Sequence, residues 1–319
     1  MKLAVPFLQF PLRFDAAALA AEVEAVGEDA WRPHPNGLPG NSALTLITTD
    51  GIADSDKVYG PMLPTEHLRR MPYLQQVLDS VGATWGRTRL MRLSGQAEVA
   101  LHVDINYYWR ERVRVHVPIV TQPTVRFTCG DAEINMAAGE CWIFDTWRLH
   151  RVVNDHSAAR IHLVADTVGG EGFWNHVAAG RPAGRDIPGW QTRLVAPQPG
   201  APVPALDYES VNAPVVMSPW EMREHMMFML GESEPAPQLG ALQHALLKLA
   251  RRWHALWSAF GTDRQGWPRY RALLDELTPE IRAHAQGVVL RNGSPFMLGL
   301  NGAVLDVALE ERHANARAG

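Results

Sequence analysis

The middle of the chain alternates apolar and polar positions in short runs separated by turn signals such as Gly130-Asp131. Period-two alternation predicts β-strands, because successive side chains on a strand point to opposite faces. Strands are predicted at 88–93, 98–104, 112–120, 124–128, 132–136, 140–145, 150–154 and 160–166. Many short strands at this spacing favour a sandwich or jelly roll over alternating strand–helix units.

The N-terminal part mixes a strand, two helices and a loop-rich stretch. Residues 4–10 predict a strand, and residues 16–26 predict a helix with Asp15 as its N-cap. Residues 33–66 are rich in Pro, Gly, Asn, Ser and Thr and predict loops with short strands. Helical spacing returns at 72–82, where a glycine ends the segment.

The last third becomes helical after a Pro/Gly-rich connection over 170–216. The sequence S-P-W-E at 218–221 has the form of a capping box, which predicts a helix start. Residues 241–260 are amphipathic and predict a long helix that ends before a glycine. T-P at 278–279 predicts the start of a further helix, and S-P at 294–295 the start of a last one.

Composition narrows the class of protein. The 319 residues are 46% hydrophobic, enough for a sizeable core, with a formal net charge of −4. This charge gives no electrostatic footprint for nucleic acid or an anionic membrane, and no apolar run reaches the length of a bilayer span. The N-terminus lacks the order of a signal peptide, and two cysteines exclude a disulfide scaffold. We therefore expect a cytoplasmic protein.

The segment EVALHVD (98–104) places two polar residues on one face of a predicted strand. His102 and Asp104 lie two positions apart, and His150 begins a later β segment. Two histidines and one carboxylate can form a facial triad that leaves about three positions on an octahedral ferrous ion for a bidentate co-substrate and O2. Because an H-x-D pair is a weak motif by itself, the alternative of ordinary polar residues stays open.

A basic strand face strengthens the metal interpretation. Arg112, Arg114 and His116 alternate with three valines, and Arg160 lies on the segment after His150. A buried basic face requires an anion, and a dicarboxylate such as 2-oxoglutarate would supply one, with Arg160 gripping a carboxylate bidentately. The alternative is a solvated strand face.

These residues resemble the aspartyl/asparaginyl β-hydroxylase and bacterial proline hydroxylase family of iron(II)/2-oxoglutarate oxygenases. The similarity is carried by MRLS (91–94), HVD (102–104), RVHV (114–117), GECWIFD (139–145), His150 and RIHLVAD (160–166). The helical C-terminal third also resembles the same part of the free-proline hydroxylases. The resemblance implies a mostly β core with α elements: a double-stranded β-helix (cupin-like jelly roll) plus a C-terminal helical region.

The resemblance also implies roles for individual residues. Iron would be held by His102, Asp104 and His150, and Arg160 would hold the distal carboxylate of 2-oxoglutarate. Arg114 and His116 would lie near its 1-carboxylate. Arg92 would face the substrate. Apart from the resemblance, Trp109 and Trp147 are candidates to line or close the pocket, with ordinary packing as the alternative for both tryptophans.

Two other residues, Asp145 and His162, have open interpretations. Asp145 either orients a ligand or structures its turn. His162 shares Arg160's side of the predicted strand, so it either contacts 2-oxoglutarate or is an ordinary core histidine. Asp104 sets the chain apart from the animal peptidyl hydroxylases of the family, which lack this carboxylate, and argues against halogenation.

The leading hypothesis is an Fe(II)/2-oxoglutarate-dependent dioxygenase that hydroxylates an unactivated carbon of an amino acid, free or peptidyl. The predicted parts are an oxygenase domain (1–177), a wrapping connection (178–216) and a helical region (217–319). The alternatives are a non-catalytic cupin-fold protein that binds metal or a small acid, and an interaction module centred on the helices. No nucleic-acid or membrane partner is expected, and the oligomeric state stays open.

Overall fold

The computed structural model describes residues 1–34 and 37–311. Within this range the chain divides into two compact units, the first formed by 1–104 and 111–211, and the second by 105–110 and the residues from 212 onward. The three-part division expected from the sequence stays a prediction. Two residues of its loop-rich stretch and the end of its helical region (312–319) lie outside the described residues.

The first unit is built on two sheets whose neighbouring strands are mostly antiparallel. The larger sheet contains β1 (Phe7–Phe14), β2 (Arg32–Pro33), β3 (Asn41–Thr49), β4 (Met62–Pro64), β5 (Thr84–Leu93), β7 (Val113–Val120), β10 (Glu140–Phe144), β12 (Arg160–Gly169), β13 (Arg181–Pro182), β14 (Arg193–Val195) and β15 (Asp207–Tyr208). The smaller sheet contains β6 (Ala97–His102), β8 (Arg126–Cys129), β9 (Ala132–Ile134) and β11 (His150–Asn154).

The chain winds between the two sheets from β5 to β12. The central order of the larger sheet is β1-β10-β7-β12-β5-β3, and the order of the smaller sheet is β6-β11-β8-β9. Consecutive strands therefore alternate between the sheets except at the β8–β9 hairpin. This winding is the double-stranded β-helix, and it confirms the predicted fold class.

Helices cover one face of the larger sheet. They are α1 (Ala16–Val26), α2 (Glu66–Arg69), α3 (Pro72–Val81) and α5 (Glu171–Ala178). Asp15 caps α1 as predicted, because its Oδ1 accepts from the backbone N–H of Ala18 at 3.0 Å. The α3 helix ends at Gly82, whose φ of 65° is the left-handed conformation that glycine adopts without strain.

Two apolar clusters lie on opposite faces of the larger sheet. The outer cluster packs the sheet against the helices and includes Val113, Val115 and Val117 of β7. The inner cluster lies between the sheets and includes Phe127 and Phe144. Both faces of β7 are therefore buried, and its Arg114 and His116 point toward the smaller sheet rather than to solvent.

Two segments of the first unit differ from the sequence expectation. The β3 strand runs for nine residues inside a stretch expected to hold loops and short strands. Its Ser, Thr and Asn residues read as loop formers, but pairing with β5 satisfies their backbone groups. The α5 helix lies in the stretch read as a connection, where Phe173 anchors it in the outer cluster.

The second unit is helical. Its helices are α4 (Tyr107–Glu111), α6 (Pro219–Gly231), α7 (Leu239–Phe260), α8 (Trp267–Ala285) and α9 (Phe296–Leu300), followed by a π-helical turn over Asn301–Leu305. The α6 helix begins as predicted, with the Ser218 hydroxyl accepting from the backbone N–H of Glu221 at 3.2 Å. In the described part of the chain, no helix combines the length and apolarity that crossing a bilayer requires.

The predicted helix start at 278–279 is wrong, because α8 runs through Pro279 without ending. A proline inside a helix costs about 3 kcal/mol. A continuous buried stripe on both sides of the proline offsets this cost, with Leu274, Leu277 and Ile281 all fully or almost fully buried. The Thr278 hydroxyl, read as a cap, instead donates to the carbonyl of Leu274 at 2.6 Å.

Candidate metal centre

Three side chains of the first unit converge at one end of the smaller sheet. His102 ends β6 and His150 begins β11, and the two residues are paired directly across the strands. Their ring centroids lie 4.1 Å apart, and Nε2 of His150 lies 3.8 Å from Oδ2 of Asp104. One potential ligand atom from each residue lies within 4.8 Å of the others. An octahedral metal with ligand distances of about 2.1 Å needs ligand atoms roughly 3 to 4 Å apart, so the spacing suits one ion.

Backbone carbonyls fix the tautomers of both histidines. Nδ1 of His102 lies 2.7 Å from the carbonyl oxygen of Ala100, and Nδ1 of His150 lies 2.9 Å from that of Arg148. A carbonyl oxygen only accepts, so each Nδ1 carries the proton and each Nε2 keeps a lone pair. This is the arrangement of a metal-ligating histidine, whose other nitrogen donates to a fixed partner.

Burial keeps His150 in the form that can coordinate a metal. The ring is 2% exposed, and its burial lowers the pKa to about 4 despite the opposing effect of Asp104. At neutral pH the imidazole is therefore uncharged. Its Nε2 is buried without a hydrogen-bond partner in the described structure, which is costly unless something fills the space between this nitrogen and Oδ2 of Asp104.

Asp145 builds the turn that carries His150. Its Oδ1 accepts from the backbone N–H of Trp147 at 3.0 Å, and its Oδ2 accepts from Nε of Arg148 at 3.0 Å. Burial raises the pKa of the Asp145 carboxyl, while these two donors oppose that rise. Asp145 thus acts on His150 indirectly, through the carbonyl of Arg148 that fixes its tautomer.

Arg114 links the triad carboxylate to a second buried acid. Its Nη1 lies 3.3 Å from Oδ2 of Asp104, and its Nε lies 3.1 Å from Oδ1 of Asp166. The guanidinium therefore makes a charged contact with the Asp104 oxygen that faces His150, which orients this carboxylate. This contact with two carboxylates was not anticipated for Arg114, which the resemblance placed near the 1-carboxylate of 2-oxoglutarate.

Arg160 lies on the inner face of β12 with no carboxylate partner. Its side chain is 3% exposed, it makes no ion pair within residues 1–34 and 37–311, and its Nε is buried without a hydrogen-bond acceptor. Burial lowers the pKa of the guanidinium to about 10, so the group stays charged at neutral pH. A buried cation of this kind fits an external anion that supplies the missing acceptors.

His116 and His162 share the inner face with Arg160. Both are buried, at 4% and 2% exposure, and Nε2 of each has no hydrogen-bond partner in the described part of the molecule. Phe127 and Phe144 pack edge-on against His116, with ring centroids 5.4 Å away in each case. The donor set around Arg160 therefore fits a carboxylate, and the triad fits a divalent metal.

Several charged residues of the inner face were missed by the sequence reasoning. Arg87 and Arg89 lie on β5 and are 6% and 9% exposed, and Asp166 pairs with both Arg87 and Arg114. Glu209 forms a buried ion pair with Arg112 at 2.8 Å. The period-two alternation used for β7 could have found the β5 arginines, whereas nothing in the local pattern marks Glu209.

Three residues that were predicted to line the pocket lie in different settings. Arg92 shares a face with Ile161 and the outer cluster, where it forms a two-pronged ion pair with Glu28 and stacks 4.4 Å above the ring of Trp31. Trp109 is buried in α4 and belongs to the second unit. Trp147 lies buried in the Asp145 turn, three residues before His150. Their proposed roles at the substrate stay predictions.

Comparison with known proteins matches the same region of the chain. Residues 56–169 fit the family model of the Aspartyl/Asparaginyl beta-hydroxylases, a segment that contains the triad, Arg160 and all strands from β5 to β12. A curated relative, L-proline cis-3-hydroxylase 1 of a Streptomyces species, is 30% identical over 151 residues. The match covers 44% of this chain, and it spans half the length of the relative.

Solved structures that the comparison matches include a prolyl-4-hydroxylase from Pseudomonas putida, at 14% identity and a TM-score of 0.34 over 51% of this chain and 92% of that one. A 2OG-Fe(II) oxygenase family protein from Burkholderia pseudomallei aligns at 11% identity and a TM-score of 0.33, over 47% and 80% of the two chains. At such scores, the fold assignment rests on the strand order of this chain. The segment 56–169, which holds the His102, Asp104 and His150 triad, is similar to the aspartyl/asparaginyl β-hydroxylase family.

Proposed function

We propose that this protein is an iron(II)/2-oxoglutarate-dependent oxygenase that hydroxylates an unactivated carbon of an amino acid. The observation that carries the proposal is the pairing of two incomplete buried sites in one unit. The triad offers metal-ligating atoms with their lone pairs fixed, and Arg160 offers a positive charge without a protein counter-charge. A dicarboxylate that also chelates the metal would complete both sites.

In this proposal His102, Asp104 and His150 hold Fe(II), and Arg160 binds the distal carboxylate of 2-oxoglutarate. Iron with 2-oxoglutarate and O2 supplies the oxidising power to convert a C–H bond to C–OH, with succinate and CO2 as co-products. The protein's own contribution is to fix geometry and exclude water. Arg114 contacts and orients the carboxylate of Asp104, and Phe127 and Phe144 seal the side of the site next to His150.

The substrate class follows from the relative whose name identifies an L-proline hydroxylase. We propose a small-molecule amino acid or a peptide residue of the Pro, Asp or Asn type. The two cysteines are free and buried, which suits a reducing compartment such as the cytoplasm. Such a compartment also preserves ferrous iron.

The test is anaerobic visible absorption of the full-length protein with Fe(II) and 2-oxoglutarate. A weak charge-transfer band that requires both additions is expected for the chelate. Arg160→Ala should weaken the band, while Arg126→Ala, which removes an exposed arginine paired with Asp155, should leave it intact. Metal binding without any band would instead favour the non-catalytic cupin. Once the band is established, amino acids and peptides can be screened for substrate-dependent succinate release.

A further inference from the structure

His116 and His162 form a pair of buried imidazoles on adjacent strands of the larger sheet. Their Nδ1 atoms lie 3.5 Å apart, and the ring planes are inclined at 79°. The pair is sealed from solvent, and both Nε2 atoms lack a hydrogen-bond partner in the described residues. Two unsatisfied buried nitrogens beside an arginine without a counter-charge point to a ligand.

The contact between the two rings restricts where their protons can lie. Burial lowers the pKa of both imidazoles well below 6.5, and the charge of Arg160 lowers each further, so both are neutral at pH 7. A neutral imidazole has one N–H and one bare nitrogen. An N–H···N contact between the Nδ1 atoms therefore requires opposite tautomers, which leaves one Nε2 protonated and the other bare.

The surroundings decide which ring carries the Nε2 proton. His116 lies toward the triad, because Phe144 contacts both His116 and His150. A carboxylate arriving between Arg160 and the metal would be attracted by an N–H on His116 and repelled by a lone pair. For His162, Arg160 is the principal charged neighbour, and a bare nitrogen is favoured beside a cation.

We propose that His162 is a positioning residue of the co-substrate pocket: its Nδ1–H donates to Nδ1 of His116 and so holds the His116 proton on Nε2, where it donates to a carboxylate oxygen of 2-oxoglutarate. The inference rests on the proposed function. It assigns His162 a role through His116 rather than a direct contact, and it explains why two histidines occupy the inner face of adjacent strands.

The tautomers can be measured without turnover. In full-length, metal-free protein labelled with 15N-histidine, the ring nitrogen shifts distinguish N–H from bare nitrogen. Opposite tautomers are expected, with His162 protonated on Nδ1 and His116 on Nε2, and the signals are assigned from the His116 and His162 variants. Identical tautomers, or the opposite assignment, would overturn the inference.

Binding to three His162 variants separates an indirect role from a direct one. Asparagine places its amide N–H near the position of Nδ1, glutamine places its N–H near the position of Nε2, and leucine supplies neither. With Mn(II) in the triad, calorimetry should give a 2-oxoglutarate Kd about tenfold weaker for His162→Leu and His162→Gln. His162→Asn should stay within about threefold of the parent protein.

The outcomes separate the two proposals. Rescue by glutamine and not by asparagine would mean that His162 touches the ligand itself, which overturns the positioning role. Unchanged affinity in His162→Leu would also overturn it. If the parent protein binds metal but not 2-oxoglutarate, the proposed function fails and the pocket role of the pair fails with it, whatever tautomers are found. If the parent binds 2-oxoglutarate normally and the tautomers are identical, only this inference fails.

Discussion

The inner face of the larger sheet carries two buried arginines whose environments differ. Arg112, directly before β7, is 2% exposed and forms a two-pronged ion pair with Glu209, which is also buried. Arg160 on β12 is buried to almost the same degree, yet no carboxylate of the described chain pairs with it. We call the part of this polar face around Arg112, where the charge is paired, the closed end. We call the part around Arg160, where the charge has no carboxylate partner in the described chain, the open end.

The difference separates structural charge from functional charge. A buried ion pair with both partners present needs no ligand, because each charge satisfies the other. A buried charge without a partner lowers the stability of the ligand-free protein. Such a charge is therefore tolerated where it increases the affinity for a ligand of opposite charge. Burial alone therefore does not identify a site, whereas burial with a missing partner does.

The largest expected difference between Arg112 and Arg160 is in their effect on stability, and removing each arginine in turn tests it. Arg112→Met should lower the free energy of unfolding by about 3–5 kcal/mol, because it leaves Glu209 buried without a counter-charge. Arg160→Met should leave the stability of ligand-free protein unchanged or higher, since it removes an uncompensated cation. Urea unfolding measures both, and an equal loss in the two variants would remove the distinction between the ends.

Removing a candidate metal ligand at the open end should have a large effect on metal binding. His150→Ala removes one of the three candidate ligand atoms, the Nε2 with its free lone pair. Loss of a residue that only supports a ligand costs about 10- to 100-fold in metal affinity, so loss of a ligand should lower the Mn(II) or Fe(II) affinity by more than about a hundredfold. His244→Ala, a change of the same type at an exposed position in α7, is the control and should bind metal normally. Retained affinity in His150→Ala would exclude the triad as the metal site.

Acid should destabilise the open end through its neutral histidines. The pKa of His150 is about 4 in the folded protein, whereas an unfolded histidine titrates near 6.5. The unfolded chain therefore binds more protons between these values, and the free energy of unfolding falls as the pH drops through this window. His150 alone contributes up to about 3 kcal/mol. Urea midpoints of metal-free protein should decline from pH about 6.5 to 4. The decline should be shallower in His150→Gln, and equal slopes would contradict this cause.

The smallest expected effect concerns the turn that supports His150. Asp145→Asn keeps one acceptor for the Trp147 N–H but loses the charge that pairs with Arg148, so metal affinity should fall by about tenfold. Asp155→Asn removes the carboxylate of an exposed ion pair with Arg126 and is the matched control. Metal titrations of the two variants should differ, and equal affinities would show that the turn does not depend on the Asp145 charge.

Much of the fold was predictable because the strands of the β-helix follow the period-two rule closely. Every predicted strand from 88 to 166 overlaps a strand of the structure, and the helices at 16–26 and 72–82 begin and end close to the predicted positions. The errors arise where local chemistry and tertiary packing disagree. Asn41–Thr49 reads as loop but pairs with β5, and Pro279 reads as a helix start but lies on a continuous apolar stripe.

The candidate site was predictable to a different degree. The predicted strand 98–104 put His102 and Asp104 on one face, and the later β segments supplied His150 and Arg160. In the structure the strand ends at His102, so Asp104 lies just beyond it. The sequence could not reveal that Arg92 lies on the helix-covered face, paired with Glu28, or that Arg114 contacts two carboxylates. These facts depend on which face of each strand is covered and on partners far along the chain.

By itself, the sequence determined the alternation of the strands, the two-residue spacing of the triad pair and the presence of a basic face on β7. Local alternation is set by the geometry of the extended backbone, so it survives without tertiary information. Only the tertiary structure decided that Arg112 meets Glu209 while Arg160 meets no acid, and that the Nδ1 atoms of His116 and His162 approach each other. Charge partners are fixed by strand register across the sheets, and register joins residues that no local pattern connects.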